Sequence, residues 1–471
     1  MASDTVDSLR YKGEAVMNFP MGGSTPFWLL NNQHGLSSID GSNAYIRGGI
    51  FKDMDTDKRF SWGAGVDMAV GKNMESVFYL QQLYAEAKYR CLNLMIGAKE
   101  MPGFISNPEL ATGNLLFSGN AHPIPQVKAG IFDYADVWFT NGWLGIKGYL
   151  SYGKYSDSRW VDHWVDKEKS KYTLGTLYHS KALFLRGGNS KKFPLEFEIG
   201  IEMATQFGGT SYFPNGSVIK MPHGLKSFWK ALVPQHGGED TPLGEQTNVE
   251  GNFLGSWNFA FAWKPQADWS VKVYYEHMFE DHSMLWIQYP WKDGLWGIEA
   301  KLPQNPWVSE IVYEFLYTKD QAGSVYYDHD SKIPEQVSGR DNYYGHGIYN
   351  GWQNWGMGIG NPLIISPIYN YPHIMGFLGN RLWGHHLGIK GQPTVNTGYK
   401  LLATYQKNWG TYSVPFPEVK SSFNLLAEIN FRTPSLPGWQ ADVAFGMDCG
   451  SLVGRNYGLQ IRISKTGFIK F

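Results

Sequence analysis

The sequence predicts a closed, membrane-spanning barrel of about eighteen antiparallel β-strands with loops that occlude its lumen. Three observations lead to this fold. The C-terminal residues Tyr457–Phe471 alternate between apolar and polar side chains. Similar alternation recurs along the chain from about residue 43. The segments that join these runs are mostly long on one side of the predicted sheet and short on the other.

The C-terminal run is longer than an ordinary strand. A soluble strand has about six residues, whereas a strand that crosses a membrane needs about nine to eleven. Because a closed barrel has no free sheet edge, we expect this last strand to pair with an early strand of the chain. The apolar side of the run consists of Tyr457, Leu459, Ile461, Ile463, Ile469 and Phe471.

The composition agrees with a membrane barrel. Charged residues make up 18% of the chain, below the roughly 25% of ordinary globular proteins. Aromatic residues make up 16%, which suits aromatic girdles at two membrane interfaces, although a sugar-binding surface has the same bias. The net charge of −1 provides no basic surface for nucleic acid. The longest stretch without Asp, Glu, Lys or Arg, residues 342–380, contains three prolines and is typical of a loop.

The predicted domain organisation is simple. Residues 1–42 show no long alternation, so we expect them to cap or enter a barrel formed by residues 43–471. The chain begins Met1-Ala2-Ser3-Asp4, without an apolar leader. Because a barrel of this kind must be exported to the outer membrane, we expect its signal peptide to have been removed.

The strands follow one another from residue 43 onward. The clearest run, Leu195–Phe207, places three glutamates on one face and apolar residues on the other, as expected between a wet lumen and lipid. We count about seventeen runs, and bacterial barrels have an even number of strands, so we expect eighteen with the missing strand near the N-terminus. Other clear runs are Ser256–Lys264, Trp269–Met278, Phe423–Arg432 and Gln440–Asp448, and weaker ones start near Asn43, Phe60, Val77, Cys91, Gln126, Trp143, Tyr172, Gly294, Ser309, His385 and Tyr399.

The connections provide a separate test. With the C-terminus in the periplasm, the external links are 449–456, 409–422, 319–384, 279–293, 208–254, 154–171 and 100–125, and most are long. The opposite links are 433–439, 392–398, 303–308, 265–268, 186–194, 133–142 and 89–90, and all are short. This asymmetry favours a membrane barrel over a soluble sandwich or propeller, and no propeller repeat is visible. It also places Cys91 and Cys449 at opposite ends of the barrel, unpaired.

Several loop segments resemble a known family. Residues Phe117–Pro125, FSGNAHPIP, are similar to the Ser-x-Asn-Ala-x-Pro-x-Pro motif of the capsule-assembly Wzi family. The resemblance extends from about residue 26 onward and implies an occluded eighteen-stranded outer-membrane barrel that holds capsular polysaccharide or exopolysaccharide as a lectin. The N-terminal region does not match the periplasmic helical bundle of enteric members. Segments similar to the Bacteroidota branch are 26–35, 224–257, 275–302, 313–324, 339–352 and 360–364.

The loops supply candidate polysaccharide-binding residues. Trp and Tyr stack on the apolar faces of sugars, while Asp and Arg bind hydroxyl groups. The alternative for loop 319–384 is a folded plug whose aromatic residues pack on one another. Trp160 and Trp164 are four residues apart and would share one face of a short helix, and a surface helix that rests on the barrel rim is the favoured alternative to sugar contact. The candidates are Trp160, Trp164, Tyr326, Tyr327, Arg340, Asp341, Tyr343, Tyr344, Trp352 and Trp355.

Three further features have structural interpretations. Residues 221–232 fit a short amphipathic helix packed in or over the barrel mouth. His277 lies on the opposite strand face from Glu280 and His282, which argues against a metal site. Carboxylates such as Glu276 could form a glycosidase pair with Glu280 or Asp281, but lumenal carboxylates are common in barrels. The sequence contains no recognisable hydrolase, zinc-protease or phosphate-loop motif, so we predict no catalytic residue, metal or cofactor.

The predicted function is therefore non-catalytic binding and anchoring of capsular polysaccharide or exopolysaccharide at the cell surface, by a monomeric outer-membrane barrel. Many weak contacts along a repeating polymer would provide avidity. Outer-membrane lipid and lipopolysaccharide are expected partners, and the polysaccharide export machinery is a further candidate. One alternative is a diffusion channel for small solutes or saccharides, which requires an open lumen. Another is a surface enzyme acting on glycan or lipid, which requires a coupled pair of reactive residues.

Overall fold

The computed structural model describes residues 8–239, 241–242, 245–246, 249–266, 268–280, 292–303, 305–321 and 341–470. Eighteen antiparallel strands form one closed barrel. In chain order, β1 to β18 are Ser8–Pro20, Asn43–Lys52, Phe60–Lys72, Phe78–Tyr89, Leu92–Ala98, Gln126–Asp136, Leu144–Lys154, Leu177–Gly188, Leu195–Phe207, Asn252–Gln266, Trp269–Glu280, Gly294–Lys301, Glu310–Tyr317, Leu382–Gly391, Thr397–Gly410, Pro415–Arg432, Trp439–Gly450 and Asn456–Lys470. The predicted fold class and strand number are confirmed.

The barrel closes where the last strand meets the first. β18 pairs with β1 over the whole length of β1, from Lys470 opposite Ser8 to Gly458 opposite Pro20. The expected pairing of the C-terminal strand with an early strand is thus confirmed. The predicted barrel start at residue 43 is wrong, because the wall begins at Ser8. The alternation of β1 is hard to see in the sequence, since its lipid-facing side includes Gly13 and Ala15.

The two faces of the wall differ as predicted. Phe197 and Val443 are exposed on the outer face, where lipid surrounds the barrel, whereas Glu202 and Asn258 are buried on the inner face. Exposed aromatic side chains also ring the outer wall at one end, as in an aromatic girdle. This set includes Trp62, Tyr89, Trp263 and Trp439.

The two ends of the barrel have connections of different lengths. The end that carries the N- and C-termini has short turns such as 90–91 and 433–438, and we call it the turn end. The opposite end, the loop end, carries the long connections 99–125, 155–176, 208–251 and 318–381. By the usual asymmetry of outer-membrane barrels, the loop end faces the cell exterior.

Of two detailed predictions about the connections, one is wrong and the other is confirmed. The link 409–422, expected to be long, is the short turn 411–414, because β15 and β16 remain paired up to Gly410 and Pro415. That part of the hairpin lacks an apolar face and so shows no alternation. Cys91 lies in the turn after β4 and Cys449 near the loop end of β17, and both are free thiols, as predicted.

The lumen is filled by a plug formed from three segments: residues 21–42, 99–125 and 341–381. The first contains helix α1, Phe27–Leu30, and the third contains a 3-10 turn, Pro367–Tyr369. These segments and the inner wall share one buried core, so the predicted occlusion by loops is confirmed. Fully buried members include Phe27, Leu30, Leu110, Leu115, Leu116, Tyr343, Tyr344, Trp352 and Ile364.

Two further helices lie in the long connections of the loop end, α2 at Ser158–Trp164 and α3 at Leu225–Leu232. No helix in the described part of the chain is long and apolar enough to cross a membrane. The prediction that α3 packs in or over the barrel mouth is wrong, because its Phe228 ring contacts the outward-facing side chains of Tyr152 and Phe207. The helix therefore rests on the outside of the wall.

Candidate functional site

Carboxylates on the inner wall hold the plug in place. Glu276 of β11 accepts hydrogen bonds from the backbone N–H groups of Leu115 and Leu116 at 2.7 and 3.2 Å, and from the side-chain amide of Asn114 at 3.0 Å. Hydrogen bonds to an ionised acceptor are stronger than neutral ones. A single inward carboxylate thus satisfies three donors of a segment about 160 residues away in the chain.

The same arrangement recurs at other inward carboxylates. Glu314 of β13 accepts bonds from the backbone N–H and the hydroxyl of Thr112, at 2.6 and 2.7 Å. Glu280 accepts a bond from the N–H of Tyr344 at 2.7 Å, and Asp448 of β17 accepts one from the N–H of Phe27. These bonds provide a structural role for the inward carboxylates, because a buried backbone N–H needs a partner.

The Ser-x-Asn-Ala-x-Pro-x-Pro segment joins the three parts of the plug. The hydroxyl of Ser118 donates to the carbonyl of Gly360 at 2.6 Å, and the side-chain amide of Asn120 donates to the carbonyl of Gly358 at 2.9 Å. The Asn120 side-chain oxygen accepts a bond from the N–H of Asn32 at 2.9 Å. In this structure the motif residues join the three plug segments through hydrogen bonds.

Several predicted site residues lie inside the plug. Tyr343, Tyr344 and Trp352 are fully buried. The Trp352 indole donates to the carbonyl of Leu116 at 2.8 Å, and the Tyr344 hydroxyl donates to the carbonyl of Leu115. These three side chains match the plug alternative and do not reach the protein surface. Asp341 is half-buried at the start of the third plug segment. Tyr326, Tyr327 and Arg340 lie outside the described residues.

Helix α2 brings Trp160 and Trp164 together, as their spacing predicted. Their rings stack with centroids 5.0 Å apart, and Trp164 stacks in turn on His373 at 4.7 Å. Trp160 is buried and its indole donates to Glu75 at 2.8 Å, while Trp164 is half-buried. His373 is exposed, and Tyr371 beside it is 90% exposed. The buried Trp160 therefore supports a stack that opens toward solvent at the loop end.

The stack is tied down at its base. The N–H of Asp166 donates to the carbonyl of His373 at 3.1 Å, and the N–H of Met375 donates to the hydroxyl of Ser170 at 2.9 Å. These bonds join the end of α2 to the segment that carries Tyr371. A platform fixed in this way loses little conformational entropy when a ligand binds.

A second pair of stacked rings lies beside the first. Tyr172 and Tyr212 stack at 5.1 Å, and the ammonium group of Lys167 lies 5.5 Å from the Tyr172 ring. Lys167 also pairs with Asp162 at 2.7 Å. We call the set Trp164, His373, Tyr371, Tyr172, Tyr212, Lys167 and Asp162 the aromatic face. The sequence-based prediction did not include Tyr172, Tyr212, Tyr371 or His373. The only sequence feature that could have marked them as binding residues is that each is an aromatic residue in a polar loop.

Trp355 occupies a third position at the loop end. It is half-buried, with its ring 6.0 Å from Tyr79 and 5.7 Å from His122. Its indole donates to the hydroxyl of Ser156 at 3.2 Å. Trp355 thus connects the plug with the loop that carries α2.

Burial disfavours the charged form of two carboxyl groups under the aromatic face. Burial raises the pKa of Asp157, which precedes α2, to about 6, although a hydrogen bond from Gln353 opposes the rise. Burial also raises the pKa of Glu75, against the bond from Trp160. The exposed charges of the face are Asp162 and Lys167. Chemically, the face can stack on apolar ring surfaces and exchange hydrogen bonds with hydroxyl groups.

A cavity of about 510 Å³ lies between the plug and the inner wall. Its lining extends from Asp133 near the turn end to His122 in the plug. The ammonium group of Lys128 lies 3.7 Å from the centre of the Tyr149 ring, and that of Lys147 lies 4.7 Å from the Phe184 ring. Cations above aromatic rings can accommodate an anionic or ring-shaped ligand. Within the described residues, no group of three or more His, Cys, Asp or Glu is placed to hold a metal ion.

Known proteins resemble this chain in fold but not in sequence. No protein-family model and no characterised protein match its sequence. The structure of Wzi, an outer-membrane protein involved in group 1 capsule assembly in Escherichia coli and described as a carbohydrate-binding β-barrel, aligns with a TM-score of 0.56 at 14% identity. That alignment covers all of this chain and 86% of Wzi.

Porin-like structures align less well. OccAB4 of Acinetobacter baumannii has a TM-score of 0.47 at 9% identity, covering 99% of both chains. OmpF of Salmonella typhi, in complex with daunomycin, has a TM-score of 0.43 at 6% identity, covering 98% of both chains. The protein is therefore an outer-membrane β-barrel, and its fold is similar to that of Wzi.

Proposed function

We propose that this protein is a lectin of the Wzi type, from the Bacteroidota branch, which binds capsular polysaccharide or exopolysaccharide and anchors it at the cell surface. The observation that carries the proposal is the stack of Trp164 on His373, with the exposed Tyr371 ring edge-on beside His373, fixed at its base and open to solvent at the loop end. The likeness to a barrel described as carbohydrate-binding supports it. So does the resemblance of residues 117–125 to the family motif.

The proposed mechanism is multivalent stacking by a monomer. A sugar ring lies against the exposed rings of Tyr371 and His373, and Asp162 and Lys167 exchange hydrogen bonds with hydroxyl groups. Each aromatic contact contributes only about 0.5–1.5 kcal/mol. Successive repeat units of one polymer engage neighbouring rings, so avidity provides retention without a deep pocket. The buried Trp160 positions Trp164 from below.

A diffusion channel is the competing function. It requires a continuous path through the lumen, whereas three plug segments share a buried core there and are bonded to at least three wall strands. The plug arrangement favours binding over diffusion. An enzyme acting on glycan is also disfavoured, because the wall carboxylates Glu276, Glu280 and Glu314 are occupied by backbone donors.

The test is the location of the polysaccharide in a strain that lacks this protein. Cell-attached and shed polymer are quantified separately, together with total synthesis. We expect total synthesis to be unchanged and the attached fraction to collapse. Normal attachment in the deletion strain contradicts the proposal and directs attention to conductance.

Complementation with variants then tests the aromatic face itself. The double variant Trp164→Ala/Tyr371→Ala is expected to restore a folded barrel but not polymer attachment. The matched control is Trp307→Ala, which removes an exposed Trp at the turn end of the same wall. Folding is checked by heat-modifiable electrophoretic mobility. Full attachment with the double variant shows that the polymer binds elsewhere.

A further inference from the structure

Part of the outer wall is covered by the protein itself. The described part of loop 208–251 leaves the loop end and lies against the lipid-facing side of β7 to β10. Phe228 of α3 contacts Tyr152 at 5.3 Å and Phe207 at 5.0 Å, measured between ring centroids. Both side chains point outward, since Tyr152 shares a strand face with the exposed Leu150. His179 also points outward, and it is completely buried beside Tyr152.

Hydrogen bonds and one ion pair fasten α3 to the wall. The Tyr152 hydroxyl donates to the carbonyl of Phe228 at 2.8 Å. The ammonium group of Lys181, an outward-facing residue of β8, donates to the carbonyl of Leu232 near the end of the helix. Lys230 forms a buried ion pair with Glu250 of the same loop. Polar groups therefore lie on the protein side of this helix.

The opposite side of α3 is apolar and exposed. Leu225 is 90% exposed, Trp229 is 56% exposed, and Val233, directly after the helix, is 40% exposed. A soluble protein buries the apolar side of a surface helix and exposes the polar side, and here the order is reversed. Large apolar patches on a surface indicate contact with a partner or a membrane.

The apolar side of α3 is continuous with the lipid-facing wall. Tyr152 and Lys181, which hold the helix, share their strand faces with Leu150 and Leu183, each about half exposed to lipid. Lys226 is exposed next to Leu225. A helix with an apolar side, an aromatic residue and a flanking lysine is typical of segments that lie in a membrane interface.

We propose that α3 is an interfacial anchor that lies in the outer leaflet beside the barrel. Leu225, Trp229 and Val233 contact acyl chains, and Lys226 lies at the level of the lipid phosphate groups. This anchor is independent of polysaccharide binding. Loop 208–251 also carries Tyr212 and packs Ile219 and Met221 against the third plug segment, so the same loop connects the anchor with the aromatic face.

The test places a fluorescent label on the exposed side of the helix. In a Cys91→Ser/Cys449→Ser background, Leu225→Cys and, separately, Trp229→Cys are labelled with bimane. The full chain is reconstituted into phosphatidylcholine vesicles whose acyl chains carry bromine at positions 6,7 or 11,12. We expect the shallow bromines to quench both labels at least twofold more strongly than the deep ones. Iodide in the buffer is expected to have little effect.

Two control positions calibrate the measurement. Leu183→Cys reports the lipid-facing wall, and Lys169→Cys reports a solvated loop near α2. Labels at 225 and 229 that respond to iodide like the label at 169 overturn the proposal, because the helix is then in water. Labels shielded from both quenchers, together with a dimer in mass photometry, also overturn it, because the helix then packs against a second copy of the chain.

Discussion

Replacing Glu276 by Gln is expected to loosen the lumen plug while leaving the barrel wall intact. The Glu276 carboxylate accepts three bonds, from the N–H groups of Leu115 and Leu116 and from Asn114. A Gln side chain retains one acceptor oxygen and presents an NH₂ group to the remaining donor. The Gln oxygen can keep the two donors that share Oε2, so the Leu116 N–H is left unpaired at a cost of about 1–3 kcal/mol, and the plug is destabilised by about that amount.

The assay is amide hydrogen exchange of residues 105–125 in detergent or vesicles. At the middle of this range, about 2 kcal/mol, the open population of this segment rises roughly thirtyfold, and exchange at Leu115 and Leu116 accelerates by the same factor. The matched control is Glu428→Gln, since Glu428 is a lumenal carboxylate that pairs with Lys400 of the adjacent wall strand at 3.1 Å. Equal protection of the plug in both variants refutes this account of the carboxylates.

Conductance provides a second measurement on the same variant. The wild-type protein is expected to be closed in planar bilayers, because the plug fills the lumen. Glu276→Gln is expected to show brief openings, since loosening of residues 99–125 connects the 510 Å³ cavity with the loop end. Steady conductance by the wild type contradicts the closed lumen and favours the channel function.

Further predictions concern pH, sidedness and the plug motif. Burial lowers the pKa of His122 from 6.5 to about 4, so the unfolded plug binds this proton more readily, and plug stability falls by up to about 3 kcal/mol as pH drops from 6.5 to 4. In His122→Gln, the pH-dependent loss of plug stability, measured by hydrogen exchange, should be smaller. An unchanged pH profile in this variant contradicts the prediction. Cys91 should resist a membrane-impermeant maleimide in intact cells and react after permeabilisation, whereas labelling of intact cells reverses the assigned orientation. In Asn120→Ala, hydrogen exchange should accelerate both at the amide of Asn32 and at the backbone amides around Gly358. Faster exchange at only one of these places shows that the plug segments are not coupled.

The wall was the most predictable part of the protein. Period-two alternation places side chains of one strand on two faces, and each face meets a different solvent, so the pattern is visible within about ten residues. Leu195–Phe207 illustrates this, with Phe197 exposed and Glu202 buried. The pattern failed at β1, where Gly13 and Ala15 occupy lipid-facing positions and carry little apolar surface.

The candidate site was only partly predictable. The spacing of Trp160 and Trp164 was sufficient to predict that they lie on one face of a short helix, because residues four apart share a helix face, and the structure added that their rings stack. His373 and Tyr371 lie about 200 residues further along the chain, and only tertiary contacts bring His373 onto the stack and Tyr371 edge-on beside it. The same limit applies to α3, whose amphipathic pattern shows one apolar side but not whether that side faces protein or lipid.

The sequence by itself determined the fold class, the number of strands and the inward position of the carboxylates, because all three depend on local alternation and connection length. The tertiary structure decided what those carboxylates hold, which aromatic residues are enclosed in the plug and which reach the surface. Tyr344 and Tyr371 are both aromatic residues of the same polar loop, yet one is fully buried and the other is 90% exposed. The difference arises because burial here depends on contacts across the lumen between distant segments, such as Tyr344 with Leu115, and no local pattern records them.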